Sequence, residues 1–394
     1  MVLLKQTACP LRTSTQTQHS SLSTLIKGGV SMGKKLAFMG AGAVGSYIGG
    51  HFCRHGEDVT LIDPWPDHIE TIKREGLHLE GTQGEYLVHP RALHLHEVQS
   101  LFKDPVDIAF VCVKSYDTVW ATEMISQYLA PGGFIVSLQN SINEERIAGV
   151  VGWGRVLGCI ASSISVNAYK PGHVTRTVQP GGPGYTVFRA GEVHGRITPR
   201  LEAFVGMLSN IDSAKATPNL WGERWTKLVV NSMGNGVSAI TGLGGKDMTL
   251  SPEVRRLSIQ LGGEAVAVGQ ALGFNLESIR GSEPDVMKAA ARGDRQAFER
   301  VEAAMLKGLA RMTDEGRPST GQDIQKGRRT EIDFINGLVA DKGDEAGIPT
   351  PTHRALVEVV KQVERKEVEP APTLVQRVWK LAGMEPMPVA SAAS

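Results

Sequence analysis

Three glycines and one acid are spaced to hold a dinucleotide. In the stretch from Lys34 to Asp63 the loop GAGAVG supplies Gly40, Ala41, Gly42, Ala43, Val44 and Gly45, and Asp63 follows eighteen residues after Gly45. Gly40 permits a tight turn, Gly42 lets the backbone approach a pyrophosphate, and Gly45 lets the following helix lie close to the sheet. The diphosphate then meets the free N–H groups and positive pole of a helix N-terminus, while an acid about 20 residues on can bind a ribose diol. A second group of residues has its own spacing. Lys227, Asn231 and Asn235 recur every four positions in WGERWTKLVVNSMGNGVSAI, so on a helix they span an arc of roughly 80°. Leu228, Val229, Val230, Met233 and Val237 cover most of the remaining surface. A helix apolar nearly all round is buried, so its polar stripe must line a cavity or face a polar partner. Gly234 and Gly236 weaken such a helix, which a close approach of ligand or backbone would explain.

These groups need elements to position them. Leu36 to Met39 reads as a strand, the segment to about His55 as a helix, and Val59 to Ile62 as a second strand ending on Asp63. A helix over Asp67 to Glu75 leads into LHLEG and GEYLVHP, which alternate as a hairpin. Asp107 to Lys114 is an almost unbroken apolar run, the mark of a buried parallel strand, and it ends on Lys114. A helix over Thr118 to Leu129 and a strand over Phe134 to Asn140 follow. Ligands bind at the carboxyl ends of such strands, so Lys114 and Asn140 share an edge with the glycine loop. From Arg155 to Arg189 short strands with Gly/Pro turns complete the sheet, and a helix covers Arg200 to Asn210.

Beyond a boundary near Pro218 the pattern is helical. A helix from about Asp323 through RRTEIDFINGLVADKG sets Glu331 on an apolar face with Phe334, Ile335, Leu338 and Val339, while Asp333 and Asn336 point elsewhere. A carboxylate there needs a partner, and a lysine across a cleft would serve. His353 reads as scaffold, residues 281 to 312 as a solvent-facing charged helical stretch, and the Pro/Ala/Ser-rich end carries one short apolar patch over Leu374 to Leu381.

With 394 residues the chain can form two sizeable cores, and 41% hydrophobic with 21% charged residues is an ordinary globular composition. A formal net charge of +1 gives no electrostatic footprint for nucleic acid or an anionic membrane, leaving a small molecule as the expected ligand. Cys9, Cys53, Cys112 and Cys159 lack the spacing of a zinc site or a disulfide framework, which suits the reducing cytoplasm. Residues 1–33 are acid-free and Ser/Thr/Gln-rich, the composition of a disordered extension. They read either as an organelle transit peptide or as sequence upstream of a start at Met32. Periodicity leaves the oligomeric state open, a homodimer included.

In this order and combination, GAGAVG, VCVKSYDT, LQNS, WTKLVVNSMGN and STGQDIQKGRRTEIDFING resemble the ketopantoate reductases (2-dehydropantoate 2-reductases) over roughly residues 34–364. The resemblance implies an α/β fold: a Rossmann-type dinucleotide-binding domain, residues 34–218, followed by an all-helical domain, residues 219–366, and a tail, residues 367–394. It implies reduction of 2-oxopantoate with a nicotinamide cofactor, with Lys227 as proton donor and Glu331 tuned against it. Asn231, Asn235 and Ser319 would hold the substrate, with Asn140 at hand, while Lys114, Asn140 and Glu331 would line the nicotinamide and its ribose. The chain departs from the family pattern at Ser141, Gly236 and Gly245, where glycine, proline and asparagine are usual. Asp63 stands where many members carry a basic residue for the 2'-phosphate, so NAD(H) is expected over NADP(H). An NAD-linked relative oxidising a different hydroxy compound is the nearest alternative, and a non-catalytic nicotinamide sensor a remote one.

Overall fold

The computed structural model describes residues 33–162, 164–181, 185–311 and 316–385. The expectations for residues 1–32 and 386–394 lie outside the described residues. Alternating strands and helices open the chain: β1 (Lys35–Met39), α1 (Ala43–Arg54), β2 (Asp58–Ile62), α2 (Pro66–Glu75), β3 (Leu77–Gly81), β4 (Tyr86–Val88), β5 (Arg91–Leu93) and β6 (Val106–Val111). Then follow α3 (Thr118–Ser126), β7 (Leu129–Ser137), α4 (Glu144–Val151), β8 (Val156–Ala161), β9 (Val166–Asn167), β10 (His173–Arg176), β11 (Phe188–Glu192), α5 (Pro199–Ser209) and β12 (Ala214–Ala216). The main sheet runs β12-β11-β8-β7-β6-β1-β2-β5. It is parallel from β8 across to β5, and β11 joins β8 antiparallel. From β1 the chain first builds outward through β2 and then returns to build from β6 the other way. The crevice at the carboxyl ends of β1 and β6 is therefore the switch point where such sheets take ligands. Apolar side chains fill both faces, with Phe38 and Phe110 stacked at 4.2 Å between centroids across β1 and β6.

Two strand expectations change. The segment around KPGHV does not complete the main sheet; β9 and β10 join the β3–β4 hairpin in a separate sheet of order β4-β3-β10-β9. Its inner face, with Leu77 and Leu79, lies so close to α1 that a Cβ on Gly50 would sit 2.7 Å from Leu79 Cδ2. The helix expected to reach Leu129 ends at Ser126, because the backbone of Val106 already pairs with Tyr128 and Leu129.

The remainder is helical: α6 (Leu220–Thr241), α7 (Gly245–Leu250), α8 (Pro252–Ala271), α9 (Pro284–Ala291), α10 (Arg295–Lys307), α11 (Ser319–Gln325), α12 (Ile332–Ala346), α13 (Pro351–Glu364) and α14 (Leu374–Ala382). Helix α6 runs through the middle, with 18 of its 22 residues buried. Residues 281 to 312 are not simply solvent-facing, since Met287, Phe298, Val301 and Met305 from α9 and α10 join the core around Trp225. The apolar patch near the end of the chain docks as α14, burying Val375, Val378 and Trp379 beside α13. His353 is a core residue, its Nε2 bonding the Leu261 carbonyl at 2.9 Å. Both halves belong to one compact unit, and no helix among the described residues is long and apolar enough to cross a membrane.

Candidate active site

The glycine loop joins β1 to α1 as its spacing demands. Gly40 has φ +100°, and a Cβ there would lie 2.7 Å from Val113 N. A Cβ on Gly45 would come within 2.0 Å of the Gly40 carbonyl oxygen, so the helix approaches its own loop closer than any side chain allows. At Gly42 nothing lies within 4 Å of an added Cβ. Gly42 also caps α1 without a side-chain hydrogen bond, leaving the first-turn N–H groups to an incoming anion. A relay supports the loop from behind. Gly172 N donates to His68 Nδ1 at 2.9 Å, His68 Nε2 lies 3.1 Å from Ser46 Oγ, and Ser46 Oγ donates to the Ala41 carbonyl at 2.7 Å. The acceptor role of Nδ1 puts the proton on Nε2, and burial depresses the His68 pKa to about 4, so the ring stays neutral. Gly40 N bonds the Ile62 carbonyl at 2.9 Å, which brings the loop beside the end of β2 and Asp63. The half-buried Asp63 accepts from Trp65 N at 2.9 Å; burial raises its pKa, against the N–H bonds it receives.

At the end of β6, Lys114 makes the site's direct ion pairs. Its Nζ lies 2.6 Å from Asp323 Oδ2 and 3.2 Å from Glu331 Oε2. Glu331 Oε1 accepts from both Ser115 N, 2.9 Å, and Ser115 Oγ, 2.8 Å. The two carboxylates outweigh the cost of burial and raise the Lys114 pKa, whereas burial raises that of Asp323 despite the lysine. This corrects two expectations. Glu331 does not lie within a helix running from Asp323; it is the N-cap of α12, because α11 stops in a turn at Gly327, φ +61°. There Gly327 N bonds Ile324 O and Arg328 N bonds Asp323 O, the paired bonds of a Schellman ending. The lysine across the cleft from Glu331 is Lys114, while the Glu331 charge also acts on Lys227, raising its pKa. Asn336, expected off the packed face, is fully buried and donates to the Ser232 carbonyl at 3.0 Å.

Along α6, Lys227 Nζ donates to the Ala161 carbonyl at the end of β8, 2.6 Å away. Burial, helped by the Arg224 charge, lowers its pKa to about 7, and the Glu331 charge only partly opposes this. One turn on, Asn231 keeps a buried Nδ2 with no hydrogen-bond partner. A further turn on, Asn235 Nδ2 donates to Ser319 Oγ at 3.2 Å. Asn140 is half-buried in the turn after β7, and its carbonyl accepts from Asn143 Nδ2 at 3.0 Å. The following Ser141 holds φ +68°, in the left-handed region that glycine occupies without strain, and its hydroxyl bonds the Phe334 carbonyl. The glycines of α6 differ in cause. A Cβ on Gly236 would meet Ile332 Cδ1 at 2.9 Å, so α12 packs there, whereas Gly234 has only Arg280 at 3.5 Å.

Sequence reasoning passed over Ser115, Asp323 and Arg224. Arg224 is fully buried and fastens α6 to the sheet edge: it donates to the carbonyls of Gln139, 2.9 Å, and Ser137, 2.8 Å, and to Glu144, 2.7 Å from Nε. Its clue was an arginine one turn before Lys227 inside an otherwise apolar helix.

A glycine loop at the switch point of a parallel sheet, with a lysine from a buried helix bonded to the carboxyl end of β8 in the same sheet, is the build of a nucleotide-dependent oxidoreductase. Residues 36–191 match the family described as ketopantoate reductase PanE/ApbA, and residues 219–364 its C-terminal domain. The 2-dehydropantoate 2-reductase of Archaeoglobus fulgidus is 28% identical over 332 residues, 84% of this chain and 98% of that one. The solved PanE/ApbA family ketopantoate reductase from Ralstonia eutropha is 27% identical, with TM-score 0.69, covering 84% of this chain and 99% of that one. A D-mandelate dehydrogenase solved with NADH and anilino(oxo)acetate shares the fold, at 22% identity and TM-score 0.69 over 84% and 98% of the two chains. The chain belongs to the ketopantoate reductase family. It is an oxidoreductase that uses a nicotinamide cofactor and acts on a small molecule.

Proposed function

We propose that this protein interconverts a 2-oxo acid, 2-dehydropantoate or an acid of similar shape, and its 2-hydroxy acid, with Lys227 as the proton donor. The observation that carries the reading is the Lys227 ammonium: held by the Ala161 carbonyl at the sheet's carboxyl edge, its pKa lowered to about 7, it can give a proton at neutral pH. The residues present fit a dinucleotide, since the cradle at Gly42 is open and the α1 N-terminus has no side-chain cap.

The loop Gly40–Gly45 would hold the diphosphate, Asp63 the adenosine ribose, and Lys114, Asn140 and Glu331 the nicotinamide end. A nicotinamide held there would supply a hydride to the substrate's carbonyl carbon. As the C=O π bond breaks, its electron pair would go to oxygen, and Lys227 would pass one proton from Nζ to that oxygen, which becomes the hydroxyl. A cation beside the developing alkoxide would also stabilise it. Asn231 offers an unspent N–H donor for the substrate's oxygens, and Asn235 and Ser319 form a second polar pair beside it. Lys114 is committed to Asp323 and Glu331, which leaves Lys227 the better placed of the two lysines to release a proton.

We also infer a preference for NAD(H). The Asp63 carboxylate at the end of β2 would repel a 2'-phosphate and accept hydrogen bonds from a ribose diol. This favours, as a second reading, an NAD-linked relative that oxidises another hydroxy acid. An absorbance assay with 2-dehydropantoate and either reduced cofactor, and with pantoate and NAD in reverse, separates these readings. Rapid oxidation of NADH by 2-dehydropantoate supports the first reading together with the role of Asp63. A clear advantage for NADPH overturns the Asp63 assignment. Tight NADH binding without turnover of either acid overturns the substrate.

A further inference from the structure

The small sheet is separate from the main one, and its outer face carries a cluster that the proposed reaction does not use. Strands β3 and β10 are parallel, with His173 opposite His78 and Thr175 opposite Glu80. Side chains alternate across a strand. Leu77, Leu79 and Val174 are accordingly buried toward α1, and His78, Glu80, His173 and Thr175 occupy the other face, the three potential ligands half-buried. The two imidazoles stack with centroids 4.3 Å apart and planes 4° apart. His173 Nδ1 lies 2.6 Å from Glu80 Oε1, and Thr175 Oγ1 donates to Glu80 Oε2 at 3.2 Å. One ligand atom from each of His78, Glu80 and His173 lies within 4.8 Å of the other two.

We propose that His78, Glu80 and His173 form a binding site for a divalent transition ion of the zinc type, which clips β3 to β10. Two imidazole nitrogens and one carboxylate oxygen make a recognised three-residue zinc donor set, with water completing a tetrahedron. Bonds of about 2.0–2.2 Å set tetrahedral ligand atoms about 3.3–3.6 Å apart. The present spread closes to that by side-chain rotation, because the parallel register already sets the two histidines side by side. Imidazole donors select this class of ion over magnesium or calcium, which take oxygen ligands. The ion would replace the proton shared by His173 and Glu80, while Thr175 steadies the carboxylate from outside, as partners of metal-bound groups commonly do. The clip would join strands lying far apart in the chain, directly behind the layer on which α1 rests.

The test uses the full chain, freed of metal by dialysis against a chelator and titrated with Zn2+ by calorimetry and thermal melting. One equivalent should bind and raise the melting temperature, and Co2+ in its place should give the visible bands of a four-coordinate nitrogen/oxygen site. Glu80→Gln keeps the side chain's shape and should weaken Zn2+ about tenfold or more, the scale on which even outer partners of metal sites act. His173→Ala and His78→Gln should do the same, and either histidine variant serves if the other fails to fold. Absence of Zn2+ binding, or binding unchanged in Glu80→Gln and one folded histidine variant, overturns the proposal.

Discussion

Replacing Lys227 by alanine is the sharpest test of the proton donor. Its pKa of about 7 follows from burial beside the Arg224 charge. A single group of that pKa is roughly 90% protonated one pH unit below it and roughly 10% one unit above, so kcat/KM for reduction should be level below about pH 7 and fall about tenfold per unit above it. The oxidative direction needs the neutral amine, so its rate should rise through the same range and then level off. The kcat profile for reduction should lie at higher pH than that of kcat/KM, because a bound substrate carboxylate favours the ammonium form. Removing a positioned general acid costs ~10²–10⁴-fold, or about 3–5 kcal/mol of transition-state stabilisation. Cofactor affinity should stay within about threefold, because Lys227 bonds the end of β8 while the glycine loop follows β1. The assay is steady-state reduction across pH, paired with NADH fluorescence titration of wild type and Lys227→Ala. If the variant keeps the wild-type pH profile, or loses cofactor affinity as much as turnover, Lys227 is a structural lysine and the mechanism fails.

Asp63→Ala should weaken NADH about five- to tenfold and leave NADPH unchanged or improved, as read by paired fluorescence titrations; an equal loss for both cofactors would count against the ribose contact. At Ser141 the left-handed backbone costs of order 1 kcal/mol in a residue other than glycine. Ser141→Gly relieves that strain but gives up the bond to the Phe334 carbonyl. Its urea midpoint should therefore correspond to a change within ~1 kcal/mol, whereas Ser141→Val should cost more than ~2 kcal/mol. Arg224→Met leaves the buried Glu144 without its cation and should cost ~3–5 kcal/mol in urea unfolding, so a loss below ~1 kcal/mol would contradict the role given to this pair.

What the sequence discloses is mostly what is local. The β1–loop–α1 unit is legible because glycine spacing, an apolar run and a helix start all fall within one short window. The stripe Lys227, Asn231, Asn235 is legible for the same reason, since one helix sets its geometry. Pairings between distant segments are not legible. Nothing near His173 signals that its strand lies against β3 rather than in the main sheet, and nothing near Glu331 names Lys114 and Ser115 as its partners. Arg224 escaped notice because half of its hydrogen bonds go to backbone carbonyls, which every residue type provides. The break between α11 and α12 had a visible sign, the glycine of Lys326-Gly327-Arg328, but the periodicity on either side overrode it.

The contacts that hold the helices over the sheet differ in how much water reaches them, and that difference sets which of them costs less to break. At one end Arg224 and Glu144 are sealed from solvent, and separating them would strand two charges. At the other end Lys114 retains 33% of its side-chain exposure, although Asp323 and Glu331 keep only 7% and 6%, so water reaches this contact from the lysine's side. Separating Lys114 from its carboxylates therefore costs less than separating Arg224 from Glu144.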